Sequence, residues 1–168
     1  MPGTPTYLLT LAALVASSLT STAATAQSSG VKAALVYNII RFVSFPGNPA
    51  KIRICSIAGQ GVNGDLRALN GRPVGASRIE VAIVGSVREV GPGCDVVYLQ
   101  GAPASALGTI ARGQVVIGEG ANFAERGGTI GLVNFGGQIR FAINNRVAKN
   151  SGVQFSSQLM QLAAKVVS

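Results

Sequence analysis

Four short apolar runs set the limits on what this chain can fold into. Ile52–Ala58, Ile79–Val84, Asp95–Leu99 and Val115–Gly118 are near-continuous hydrophobic stretches, separated by helix-forming segments and by Gly/Pro-rich turns. A strand with one wet face alternates apolar and polar residues; a run without that alternation needs cover on both faces. Runs of this kind alternating with helices predict an α/β fold, a three-layer α/β/α sandwich around a mostly parallel central sheet.

The last third changes style. Thr129–Phe135 and Gln138–Asn144 are joined by Gly136-Gly137, a two-residue link in which both positions tolerate positive φ, so a C-terminal antiparallel hairpin is expected. That turn fixes the register: Ile130 opposite Ile143, Leu132 opposite Phe141, Asn134 opposite Ile139. The helical segments are a largely buried opening helix over Val31–Phe45, stopped by Pro46, and a short one over Asp65–Leu69. Pro103 opens another, running to about Ala111, and Asn122 caps a helical turn through Glu125-Arg126. Asn145–Asn150 is a further turn of helix. A final helix runs from a Ser156 or Ser157 cap to Val167, with Leu159, Leu162, Ala163 and Val166 facing inward and Phe155 stapled onto Met160.

Ahead of these elements lies a different kind of segment. Tyr7 to Ala26 holds an apolar run over Leu8–Ala16, a Ser/Thr/Ala slope and an Ala24-Thr25-Ala26 ending, the small-x-small pattern of a cleaved export signal. The run is well short of the roughly 20 residues of a membrane span. Its leading residues carry no Lys or Arg, and Gln27 stands where a lipoprotein would need Cys. The expectation is a signal peptide over residues 1–26 and one periplasmic domain over 27–168.

All of the net charge of +8 falls after residue 26. The basic residues are scattered from Lys32 to Lys165 with no run of three, and aromatics are few, so nucleic-acid binding is not expected; a basic surface for an acidic partner, anionic lipid headgroups or the cell wall is. The chain has no His, which removes the commonest general base and the commonest metal ligand together. Two distant Cys and six scattered carboxylates assemble no zinc site or thiol redox motif, and no G-x-S-x-G elbow is present. No enzyme activity, metal or cofactor is expected.

Gly59-Gln60-Gly61-Val62-Asn63-Gly64 matches G-x-G-x-x-G after a strand, with Glu80 at about the distance of a ribose-binding acid. The helix behind it is cut short by Asn70-Gly71-Arg72-Pro73, and Glu80 falls near the start of a strand, not at its end. In a chain with 22 Gly, a structural turn is the better reading. Glu119, at a strand's carboxyl end, is placed like a ligand-binding acid, although an ion pair with neighbouring Arg126 is the plainer role. Cys55 and Cys94 reach bridging range if the first and third strands are neighbours, as in a 2-1-3 strand order; the alternative is two buried free thiols.

Several segments together resemble one family. Val31-Lys32-Ala33-Ala34-Leu35-Val36-Tyr37-Asn38 with Arg41-Phe42-Val43-Ser44-Phe45-Pro46 is similar to the opening helix of the YfiR family of periplasmic proteins. Arg53-Ile54-Cys55, Cys94 to Leu99, Phe123 to Ile130, Arg140 to Asn144 and Ser156 to Leu159 follow in the same order. The resemblance implies a dimeric α/β repressor that binds the periplasmic sensor domain of an inner-membrane diguanylate cyclase, lowering cyclic-di-GMP and biofilm formation. It also implies an OmpA-like outer-membrane lipoprotein that sequesters the repressor, and it puts Cys55 and Cys94 in the places of the family's disulfide. Phe45 replaces a usual Trp, Gly118-Glu119 stands where Ser-Asp is common, and the second Cys pair of some members is absent. Arg41, Arg146 and Phe155 are the candidate partner-binding residues, since Arg and aromatics are enriched in binding hot spots. A small-molecule-binding module, using the strand ends near Gly59–Gly64 and Glu119, is the alternative function.

Export predicts a mature chain beginning at Gln27. N-terminal sequencing of the envelope-fraction protein checks this, and a chain still beginning at Met1 would refute it.

Overall fold

A computed structural model describes Met1, Gly3, residues 21–101, Leu107, residues 113–120 and residues 122–168. The expected Pro103–Ala111 helix falls almost wholly outside the described residues.

The elements run α1 (Ser21–Ile40), β1 (Val43–Ser44), β2 (Lys51–Ile57), α2 (Asn63–Arg67), β3 (Pro73–Val74) and β4 (Ser77–Val84). After a 3₁₀ turn at Val87–Glu89 come β5 (Val96–Leu99), β6 (Val115–Glu119), β7 (Ile130–Phe135), β8 (Gln138–Asn144) and α3 (Asn145–Asn150), then β9 (Gln154–Phe155), α4 (Ser157–Leu162) and β10 (Lys165–Val167). Eight strands form the main sheet in the order β10-β8-β7-β6-β5-β2-β4-β3. The five strands β4, β2, β5, β6 and β7 pair in parallel, and β7–β8 closes as the antiparallel hairpin. The β4-β2-β5 neighbourhood is the 2-1-3 order that the cysteines require.

Period-two packing explains why those runs are apolar throughout. Ile52 and Ile54 of β2, Val96 and Tyr98 of β5, and Val115 and Ile117 of β6 feed one core, shared with Ala33, Val36, Ile39 and Ile40 of α1 and Leu66 of α2. The residues between them, Cys55, Val97, Leu99 and Val116, feed a second core on the other face with Cys94 and Phe123, against which Leu107 packs. The hairpin register is as expected, pairing Ile130 with Ile143, Leu132 with Phe141 and Asn134 with Ile139, and Gly136 and Gly137 have φ of 58° and 79°.

Three expectations are corrected. The opening helix ends at Ile40 instead of Phe45, because the residue before Pro46 is disfavoured in the helical region and Val43–Ser44 finds a partner strand in Gln154–Phe155. The same helix is wetter than expected: Val31, Ala34, Asn38 and, just beyond its end, Arg41 are exposed. The Asn122 segment makes the single helical turn expected of it, with Arg126 N–H donating to Asn122 O. The last helix, capped by Ser156 through the Leu159 N–H, ends at Leu162. Ala164 N–H then donates to Phe141 O and the chain joins the sheet as β10, parallel to β8, leaving Leu162 61% and Val166 39% exposed.

Phe123 explains the Phe-Ala-x-x-Gly-Gly segment. Its buried ring lies between β6 and the following turn, so that a Cβ at Gly118 would sit 2.2 Å from one ring edge and a Cβ at Gly128 2.1 Å from the other. The ring has no room to move away from either. Asn144 completes the corner: its Oδ1 accepts from Val147 N–H at the start of α3, and its Nδ2 donates to Ala124 O at 2.7 Å. Overpacking then predicts that Gly118→Ala and Gly128→Ala each destabilise by about 1–3 kcal/mol. Gly64→Ala, in open space within α2, is expected to be neutral or to stabilise by up to about 1 kcal/mol. Urea unfolding of the three variants decides it; equal midpoints would refute the packing argument.

Candidate functional site

At the switch point of the sheet, where β2 and β5 part company, the chain's own side chains fill the space a ligand would need. The Ser56 hydroxyl lies 2.7 Å from Asn63 Oδ1 and 2.9 Å from Gln60 Oε1, and Asn63 Nδ2 donates to Ile57 O at 2.8 Å. Gly61 N–H, an amide that a phosphate would claim, donates to Gln100 Oε1 at 3.1 Å. Glu80 is committed to surface ion pairs with Arg53 (2.8 Å) and Lys51 (3.3 Å). Those cations, Lys51 first, hold its carboxyl below the usual range. The glycine motif is a turn.

Glu119 does not pair with Arg126. One oxygen accepts from Lys32 Nζ at 2.8 Å and the other from Tyr98 OH at 2.7 Å. Burial, reinforced by the carboxylate beside it, pushes the Tyr98 hydroxyl well above its ordinary range, so it stays a donor. The trio ties α1 to the carboxyl ends of β5 and β6. A cavity of about 230 Å³ opens beside it, between Lys32, Glu119, Leu132 and Asn134. Among the described residues no cluster of three His, Cys, Asp or Glu could hold a metal ion.

The exposed end of α1 has a different character. Tyr37 donates its hydroxyl to Pro73 O at 2.9 Å, which fixes the ring against the start of β3. Two guanidinium carbons lie over that ring, Arg72 at 4.2 Å and Arg41 at 5.9 Å from the centroid. Arg41 and Arg72 are both exposed. Of the candidate partner-binding residues Arg41 is thus exposed, whereas Phe155 is not: it is 9% exposed, opposite Val43 in the small sheet, and belongs to the core. Arg146 is exposed on α3, beside a cavity it shares with Lys149 and Ser168. Sequence reasoning missed Tyr37 and Arg72. The i, i+4 spacing of Tyr37 and Arg41 was a readable signal; Arg72 comes from another element and left none.

Cys55 and Cys94 are joined, with Cα atoms 5.8 Å apart. The bond links β2 to the residue that leads into β5, within the second core.

A family profile described as YfiR/HmsC-like matches residues 29–164. No curated protein matches the chain. Among solved structures, the ABC domain in complex with L-Trp from Streptococcus pneumonia is similar in fold, with a TM-score of 0.50 and 12% identity over 85% of this chain. A conserved domain protein from Vibrio cholerae O1 biovar El Tor gives a TM-score of 0.49 and 12% identity over 82% of this chain. The chain spans 60% of the length of each. Among the described residues no helix is long and apolar enough to cross a membrane.

Closing a loop of 39 residues stabilises by about 4 kcal/mol on the chain-entropy account. Native protein should therefore show no alkylated Cys by mass spectrometry under non-reducing conditions, and Cys55→Ser should lose about 2–5 kcal/mol in denaturant unfolding. Two alkylated thiols would refute the bridge.

Proposed function

The chain belongs to the YfiR/HmsC-like family of periplasmic regulators of diguanylate cyclases, and on that premise we propose that it represses an inner-membrane diguanylate cyclase by binding the cyclase's periplasmic sensor domain. The family match across residues 29–164 carries this reading. The exposed, cationic end of α1 supports it, with Arg41 as a docking residue and Arg146 of α3 as a second. Phe155 is withdrawn from that role by its burial. The small-molecule alternative finds little support at the strand ends, where Glu119 and the glycine turn are engaged internally.

A protein without chemistry of its own acts only by preferring one state of its partner. To move a cyclase from 99:1 active to 99:1 inactive, it must bind the inactive form about 10⁴-fold more tightly. Lower cyclic-di-GMP and thinner biofilm are the downstream results. The resemblance adds a second copy of the chain and a sequestering OmpA-like outer-membrane lipoprotein as further partners, the latter relieving repression by competing for the free protein. With a net charge of +8, association with an acidic docking surface weakens as salt rises.

Deleting the gene is expected to raise cyclic-di-GMP and thicken biofilm, and a pull-down from envelope extract is expected to recover a membrane-bound cyclase. Unchanged cyclic-di-GMP together with no recovered cyclase would overturn the proposal.

A further inference from the structure

The charge distribution of the molecule is lopsided in a way that its internal pairs do not resolve. All six carboxylate side chains lie among the described residues, against fourteen Lys and Arg in the whole chain. Glu80 is shared by Lys51 and Arg53, Glu119 is taken by Lys32, and Glu125 pairs with Lys165. Asp95 accepts from Arg53 N–H, and Glu89 accepts from Gly85 N–H and the Ser86 hydroxyl. None of the six makes a hydrogen bond or ion pair with Arg41 or Arg72.

Both guanidinium groups nonetheless lie against one aromatic ring, Arg72 at 4.2 Å and Arg41 at 5.9 Å from its centroid. Long exposed side chains are normally free to swing in solvent. Here the Tyr37 ring attracts each cation through its negative face and restricts where each guanidinium can go. The ring is itself fixed by the bond from its hydroxyl to Pro73 O. What results is a pair of positive forks, positioned before any ligand arrives, each with N–H groups free for bidentate contact with a carboxylate.

We propose that Tyr37, Arg41 and Arg72 form a docking platform for an acidic peptide segment of a protein partner, which places one carboxylate on each arginine. A protein segment fits better than an anionic membrane. Lipid surfaces reward a wide basic face with apolar residues to insert, each cation contributing separately, whereas two forks fixed on one ring are geometry for a discrete pair of acids. The proposal rests on the binding-protein reading above but not on the partner being a cyclase.

The test is an NMR titration of the full-length chain at low ionic strength with a capped peptide carrying two Glu-Glu pairs, the Gln-for-Glu peptide serving as control. The Glu peptide should shift the Arg41, Arg72 and Tyr37 side-chain signals, and the Gln peptide should not. Arg41→Gln and Arg72→Gln should each weaken binding about tenfold, as loss of a charge-assisted contact does. Tyr37→Leu should do the same by releasing both arginines, while Tyr37→Phe keeps the ring and most of the affinity. Arg88→Gln and Arg126→Gln, exposed cations elsewhere, should change affinity less than about twofold, within the range of ordinary surface charges. Equal losses at all four arginines would overturn the platform in favour of net charge alone. No binding of the Glu peptide would overturn it as well, and so would arginine-dependent binding to phosphatidylglycerol vesicles in its place. Peptide binding without any effect of the chain on cyclic-di-GMP would support this surface and refute only the repressor role.

Discussion

Parallel pairing of β2 with β5 is the joint on which the rest of the sheet depends. From β2 the strands spread both ways, β4 and β3 to one side and β5, β6, β7, β8 and β10 to the other. Parallel neighbours cannot be joined by a tight turn, so β2 and β5 meet only after about forty residues of intervening chain have found their own places. Such a contact has a large entropic cost of closure. The Cys55–Cys94 bond spans the same join, within the core on the face away from α1. The chain is therefore cross-linked at its most non-local central pairing, where a covalent link constrains the unfolded state most.

The same joint governs what the molecule can bind. In open α/β sheets the crevice at the switch point is the usual ligand position. Here Gln100, directly after β5, reaches across to the Gly61 amide, and Ser56 and Asn63 satisfy each other below it. The fold keeps the location but not the vacancy.

What could be read from the sequence follows the range of the forces involved. The apolar runs of β2, β5 and β6 and the hairpin register were legible because burial of both faces and a two-glycine turn leave local patterns; β4, an equally apolar run, is fully buried only at Ile79. The two-residue strands β1 and β9 leave none; each exists only because the other, more than a hundred residues away, offers a ladder. The end of the chain misled for a related reason. Leu159, Leu162 and Val166 have helical spacing, yet only Leu159 is buried, and the uncovered edge of β8 draws the last residues into the sheet. At the candidate site the nearest charge was a poor guide. Glu119 ignores Arg126, seven residues on, for Lys32, which is 87 residues away in sequence. Arg41 was readable as an exposed cation; its companion Arg72 and the ring beneath them were visible only in three dimensions.

That last strand carries a consequence for the life of the protein. β10 is three residues long and covers Ala142, Ile143 and Asn144 of β8, all buried. Trimming four residues from the tail would take β10 away together with the Lys165–Glu125 pair. It would leave a row of bare amides and carbonyls beside some of the most apolar positions in the hairpin, and such an edge is a template for self-association. Lys165–Val167 thus act as a seal on the sheet, and losing them would open the β8 edge to pairing with another chain.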